Sequence, residues 1–357
     1  MKFIKGFDGV RGVSIILVIL NHLGLYMYLP MTFFFQKRVW PLFSGLTGVQ
    51  IFFGLSGFLI TTVLQKELRR TNSINFKNFY IKRSLRLFPA LLIFYSLIAF
   101  CMKMGWIPID KTGILFALFY VYNFIPQYYY SGQLGHLWSL AVEEQFYFLL
   151  PLLLLFVRKF IMLILTFLIV IAVCFVFYFV LPNIYLGTYP YGNYLDKFFL
   201  IDRWFVPACA PIMIGSMAAT IIMEKDQFQK LFNIQNRSKV FCVCLVLYLS
   251  PLYFPNILLA SASIFQSASY TLLLCFIYFN QSSLLVKVLS FKSLAYIGKI
   301  SYGLYIYQGF FLRTGPSLQS AMKVQAFPMN LLLAIVVAIV SYEFIEKPIL
   351  KYKIRFQ

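Results

Sequence analysis

The chain has 357 residues, of which 61% are hydrophobic and 12% charged, whereas a soluble domain is roughly 45–50% apolar and about 25% charged. That balance excludes an ordinary soluble globular fold and marks a polytopic membrane protein. The net charge of +20 does not point to nucleic acid, because the basic residues stand in short stretches between apolar runs and form no polar basic domain.

Crossing a bilayer as a helix takes about 17–25 apolar residues. Segments of that length occur in chain order at 10–29, 42–64, 87–107, 137–157, 160–181, 203–223, 240–260, 261–280, 294–312 and 329–346. They predict an all-α membrane bundle of about ten transmembrane helices, a single domain over 1–357 with no appended soluble domain. The run from Gly113 to Phe124 is too short to cross and predicts a re-entrant or interfacial helix. The N-terminal segment has no small-residue cleavage site and reads as a retained span.

With the N-terminus cytoplasmic, the inner segments hold 23 of the 31 Lys and Arg residues. By the positive-inside rule that bias predicts both termini on the cytoplasmic side. Counting Gly113–Phe124 as a full span would move Arg158, Lys159 and every later basic cluster outside.

The first span carries Asp8, Arg11 and His22. At about 100° per helical residue, Arg11 and His22 fall only roughly 20° apart around the axis, and Asp8 lies within about 40° of that stripe. Ionisable groups at membrane depth are expensive and by default mark function, and the chain has only two histidines for acid–base chemistry near neutral pH. This places Arg11 near the inner edge and His22 deep in the span.

The next span, GVQIFFGLSGFLIT, offers Gly48, Gly54, Gly57 and Ser56 as small faces for close helix approach; a nucleophilic Ser56 is the less favoured reading, without a G-x-S-x-G elbow. In NFKNFYIKRSLRLFPALL, the residues Lys82, Arg83 and Arg86 are expected on a short helix preceding a span that opens near Pro89. Arg83 and Arg86 are i,i+3 neighbours whose guanidinium forks suit one phosphate group, although basic inner loops also serve simply to set topology.

In GHLWSLAVEEQFYFLLPLLL, Glu143 and Glu144 lie about two turns into an apolar span and must face a polar interior. They point about 100° apart, so they cannot share one partner equally. His136 and Trp138 stand at the outer end, where contact with a sugar and an ordinary interfacial role are both open. In the late span, Ser301, Tyr302, Tyr305 and Gln308 read as pocket lining or aromatic packing. The six cysteines sit in or beside apolar runs, and Cys242-x-Cys244 lacks a second ligand pair at metal-site spacing. No metal is expected.

Taken together, FDGVRGVSIILVILNH, GVQIFFGLSGFLIT, FYIKRSLRLFPALL, HLWSLAVEEQFYFLLPLL, IGKISYGLYIYQ and FIEKP occur in an order that resembles the acyltransferase-3 family of integral membrane O-acyltransferases. The resemblance covers nearly the whole chain. It implies a ten-span enzyme of the bacterial inner membrane that takes an acyl group, usually acetyl, from cytoplasmic acyl-CoA. The acyl-CoA acts as donor substrate, with no tightly bound cofactor. The acceptor implied is a hydroxyl of a cell-envelope glycan, with lipopolysaccharide O-antigen first and peptidoglycan, another exopolysaccharide or a small metabolite as alternatives.

By the same resemblance His22 is the essential histidine and Arg11, Arg83 and Arg86 attend the donor, while Glu143 and Glu144 occupy the family's EEQFY-type segment; either carboxylate can assist His22, and Glu143 is taken as the catalytic one. Asp8, His136, Trp138, Glu144, Ser301, Tyr302 and Gln308 are the expected supporting or substrate-facing residues. Two positions depart from the family pattern. Gln50 replaces a frequent acid and Gln308 a frequent histidine, so acid–base chemistry rests more heavily on His22. A glycan transporter would also need charges at membrane depth, but inverted repeats or paired broken helices are not visible.

Overall fold

The computed structural model describes residues 4–24, 32, 34–186, 200–224, 227–255, 261–312 and 322–352, and among these every regular element is helical. The principal helices are α1 (Phe7–His22), α2 (Gly45–Thr71), α3 (Phe76–Lys103), α4 (Lys111–Leu118), α5 (Leu137–Phe156) and α6 (Phe160–Leu186). They continue as α7 (Ala210–Glu224), α8 (Arg237–Tyr248), α9 (Ala262–Phe279), α10 (Lys292–Phe311) and α11 (Met329–Ser341).

Six helical stretches among the described residues are long and apolar enough to cross a membrane: Trp40–Thr71, Phe76–Lys103, Leu137–Phe156, Phe160–Phe177, Ala262–Phe279 and Met329–Lys351. The protein is an integral membrane protein. The other four predicted spans take different forms. The first appears as the sixteen-residue α1, and its predicted end at 25–29 lies outside the described residues. In the stretch 203–223, Val206 has non-helical backbone angles, which leaves α7 only 15 residues. In the stretch 240–260, α8 ends at Tyr248, before Pro251, and 256–260 lie outside the described residues. The last, α10, has 20 residues but carries Lys292, Lys299 and several tyrosines.

Local chemistry explains several boundaries. The Ser44 hydroxyl caps α2 by accepting from Thr47 N, and Asn72 ends the helix with φ +53°, a left-handed conformation that Asn tolerates better than most residues. Asn75 caps α3 by accepting from Asn78 N at 2.9 Å. Asp110 accepts from Thr112 N at 2.7 Å to start α4, which, with the 3-10 turn Tyr122–Phe124, fills the short segment expected near 113–124.

The expected short basic helix before Pro89 is instead part of one 28-residue helix, α3, with Pro89 buried in its interior. Proline removes one backbone donor there. The Tyr302 hydroxyl, from α10, donates to the Leu87 carbonyl at 3.0 Å beside that break. Arg83 and Arg86 are thereby mounted on a continuous rigid rod.

Helices α2 and α7 form the most extensive pair, and α1 is sandwiched between α2 and α10. Both contacts depend on backbone approaching backbone. A Cβ on Gly215 would stand 2.1 Å from the Gly54 carbonyl oxygen, and one on Gly298 would stand 1.7 Å from that of Asp8. Because a main-chain oxygen cannot rotate aside, Gly298→Ala is expected to force α1 from α10 and destabilise the bundle by at least ~1–3 kcal/mol, the usual cost of overpacking. Thermal unfolding of the detergent-solubilised variant, followed by size-exclusion chromatography, measures this; an unchanged midpoint would contradict the packing.

Candidate active site

A cavity of about 360 Å³ runs between α1, α2, α3, α5 and α10. On α2 alone its lining extends from Val49 to Glu67, which at ~1.5 Å rise per residue is ~27 Å of depth. One end is charged: Arg11, Lys82, Arg83 and Arg86 line it together with the carboxylate of Glu67.

Each cation is held differently. Arg11 binds Asp8 through Nη1 and Oδ1 at 2.7 Å, both side chains being largely buried, and it lies within repulsive range of Arg86. Arg83 stands over the Tyr147 ring at 3.9 Å, a cation–π arrangement. Arg86 also faces Glu346, whose carboxylate accepts from the Ser341 hydroxyl at 2.8 Å. Three guanidinium groups gathered in one stretch of the lining offer several donors to an incoming anion.

Midway along the cavity, Glu143 Oε1 accepts hydrogen bonds from the hydroxyls of both Ser56 and Tyr147. Ser56, read from the sequence as a small packing face with a nucleophilic role less favoured, stands on the cavity wall. The reason is the turn of α2: Phe52, Ser56, Leu59 and Val63, at steps of three and four, share the lining stripe. Tyr147, one turn beyond Glu143 on α5, was not singled out. Its i,i+4 relation to Glu143 was the available signal. Both hydroxyls are thus bound to the same carboxylate oxygen.

Glu144 does not line the cavity, and its Oε1 is buried without a hydrogen-bond partner. The 100° step between adjacent helical residues separates the two carboxylates as the sequence required. Ser301 and Tyr302 do line the cavity, joined by Tyr305. Trp138 lies behind the wall, edge-on to Phe53 at 6.1 Å, with the Arg203 guanidinium 5.9 Å from its ring.

Toward the far end the Ser139 and Tyr305 hydroxyls hydrogen-bond to each other. Tyr305 also donates to the His136 carbonyl at 3.0 Å. His136 and Gln308 are buried one helical turn from Ser139 and Tyr305 respectively. His22 is the final residue of α1, where Gly24 at φ +67° turns the chain. It is exposed at the helix end, within electrostatic range of His136. The two histidines of the chain, 114 residues apart in sequence, therefore lie on the same side of the cavity, opposite the arginines.

The site is thus a long cavity inside an all-helical membrane bundle, with guanidinium groups at one end and imidazoles toward the other. Residues 4–342 match the family model described as an acyltransferase domain, of the acyltransferase-3 type. The chain belongs to that family of enzymes. It is similar to the Staphylococcus aureus O-acetyltransferase OatA of strain NCTC 8325, with 29% identity over 98% of this chain and 58% of the relative. It is also similar to the protein SACOL0978 of strain COL, with 26% identity over 99% of this chain and 58% of the relative. The chain thus spans a little over half the length of the curated relatives it matches. No solved structure matches it.

Proposed function

We propose that the protein moves an acyl group, acetyl in the first instance, from acyl-CoA on the cytoplasmic side of a bacterial inner membrane to a hydroxyl of a cell-surface glycan. Lipopolysaccharide O-antigen is the first acceptor to examine, and peptidoglycan, another exopolysaccharide or a small metabolite the alternatives. The observation that carries this reading is the polarity of one cavity, with Arg11, Arg83 and Arg86 at one end and the two histidines toward the other.

In this reading the phosphate groups of the donor rest on the arginines, whose paired forks suit phosphate. The pantetheine arm, ~15–20 Å by comparison with extended backbone, lies along the ~27 Å cavity. The acceptor hydroxyl attacks the thioester carbon, the new C–O bond forms and the C–S bond breaks. Neutral His22 takes the hydroxyl proton as general base and passes it to the departing thiolate, which leaves as the thiol. Glu143, fixed by Ser56 and Tyr147, supplies negative charge along the path.

Envelope glycans from cells with and without the protein, compared by mass spectrometry, test the proposal. The expected result is an acetyl increment that depends on the protein and is lost on mild base treatment, accompanied by consumption of acetyl-CoA in membranes. An increment on peptidoglycan alone would reassign the acceptor. Absence of protein-dependent acetyl-CoA consumption would overturn the acyl-transfer reading.

A further inference from the structure

The closing FIEKP stretch carries a backbone irregularity that redirects one charge. Helix α11 buries Asn330, Ala334, Ala338 and Ser341, at steps of four, four and three, so a continuing α-helix would next bury Ile345. Instead, Tyr342–Glu346 form a π-helical turn, whose wider winding holds more residues than an α-turn and is frequent at functional sites. The inward position passes to Glu346, which is 4% exposed, while Ile345 is 38% exposed. An isoleucine is turned out and a carboxylate in, the reverse of what apolar packing selects.

A buried carboxylate is costly unless hydrogen bonds and counter-charge meet it, and Glu346 has both. Its Oε1 accepts from the Ser341 hydroxyl at 2.8 Å, and the Ser341 oxygen accepts from the Tyr307 hydroxyl at 2.8 Å. The same carboxylate oxygen lies against the bare backbone of Gly303, where a Cβ would stand 3.2 Å away. Next to Gly303, Tyr302 donates to the Leu87 carbonyl at 3.0 Å, which ties this stretch of α10 to the residue after Arg86. The π-turn also packs directly on α3, and the cation acting on the Glu346 charge is Arg86. Glu343, in the same turn, pairs instead with Lys347 at 2.5 Å.

The three arginines of the lining are each steadied in a different way. Arg11 is paired with Asp8 and Arg83 stands over the Tyr147 ring. Arg86 is repelled by Arg11, and among the described residues no ion pair or hydrogen bond occupies its guanidinium. Glu346 does not line the cavity. A carboxylate set behind the wall attracts Arg86 without using its N–H donors, which leaves the fork for an anion.

We infer that Glu346 is a positioning residue for the donor: from behind the cavity wall it holds the Arg86 guanidinium in the lining, against repulsion from Arg11, with its fork presented to a phosphate group. This rests on the acyl-transfer reading above and adds what keeps one of its donor-binding groups in place.

The test measures binding of CoA itself, by isothermal titration calorimetry on the full chain purified in detergent. Glu346→Gln keeps the shape and the acceptor for Ser341 and removes the charge. It is expected to weaken CoA binding about fivefold, within the coupling found between residues of one charged network, and Glu346→Asp is expected to recover part of the loss. In an Arg86→Ala background the same Glu346→Gln change is expected to alter CoA affinity less than twofold, because the group it acts through is gone. Unchanged or tighter CoA binding by Glu346→Gln, or a loss of equal size in the Arg86→Ala background, overturns the assignment; tighter binding would make the carboxylate a competitor of the phosphate. If Glu346→Gln yields no folded protein, Ser341→Ala takes its place, since it removes only the hydroxyl that holds the carboxylate. Weaker CoA binding that vanishes with Arg86→Ala supports the assignment, and wild-type binding overturns it. Failure of the unsubstituted protein to bind CoA would instead overturn the acyl-transfer reading on which the role rests.

Discussion

His22→Ala is expected to reduce acyl transfer by roughly 10²–10⁴-fold, the contribution typical of a positioned general base, without lowering the amount of folded protein. His22 is exposed at the end of α1, so truncating it removes no core packing, and surface substitutions usually stay within about 0.5 kcal/mol. Donor binding should also survive, because Arg11 lies eleven residues away on the same helix, ~16 Å along its axis. The measurement is radiolabelled acetyl transfer at matched protein abundance, together with an acetyl-CoA titration. Wild-type transfer by the variant would remove His22 from the mechanism, and a loss confined to donor affinity would move its role to the arginine end.

The complementary result is expected at that end. Arg83→Ala or Arg86→Ala should raise the half-saturating concentration of acetyl-CoA by about 10–100-fold, since a hydrogen bond to a charged group is worth about 1.5–3 kcal/mol and about 1.4 kcal/mol is a factor of ten. Acceptor dependence should hardly move. Arg83→Lys keeps the charge but loses the bidentate fork and should fall between wild type and alanine. Raising salt should narrow these differences, because screening weakens partly exposed charges most. Equal shifts in donor and acceptor dependence would mean that the arginines shape the cavity as a whole.

Much of this arrangement follows from spacing along single helices. The phase of Asp8 and Arg11 makes them neighbours, and they form the 2.7 Å ion pair. The i,i+3 step from Arg83 to Arg86 places both on one wall of the cavity. The single step from Glu143 to Glu144 separates their directions, and only Glu143 faces inward. The reading fails where it relies on apolarity to set helix ends. Hydropathy rises only after Pro89, yet α3 begins at Phe76, because a helix continues through polar residues when caps and packing support it.

The sequence alone determined that this is a helical membrane protein and which of its residues carry charge into apolar helices. Composition and helical periodicity are local properties, readable within one or two turns. Tertiary structure alone decided which residues from different helices meet. It brought Ser56 of α2 to Glu143 and Tyr147 of α5, set His136 against Gly309 of α10, and put His22 within electrostatic range of His136. Those contacts depend on how far α1, α2, α5 and α10 approach one another and at what register. That register is set by glycines such as Gly215 and Gly298 packed against main-chain oxygens, a three-dimensional constraint that no single-helix pattern contains.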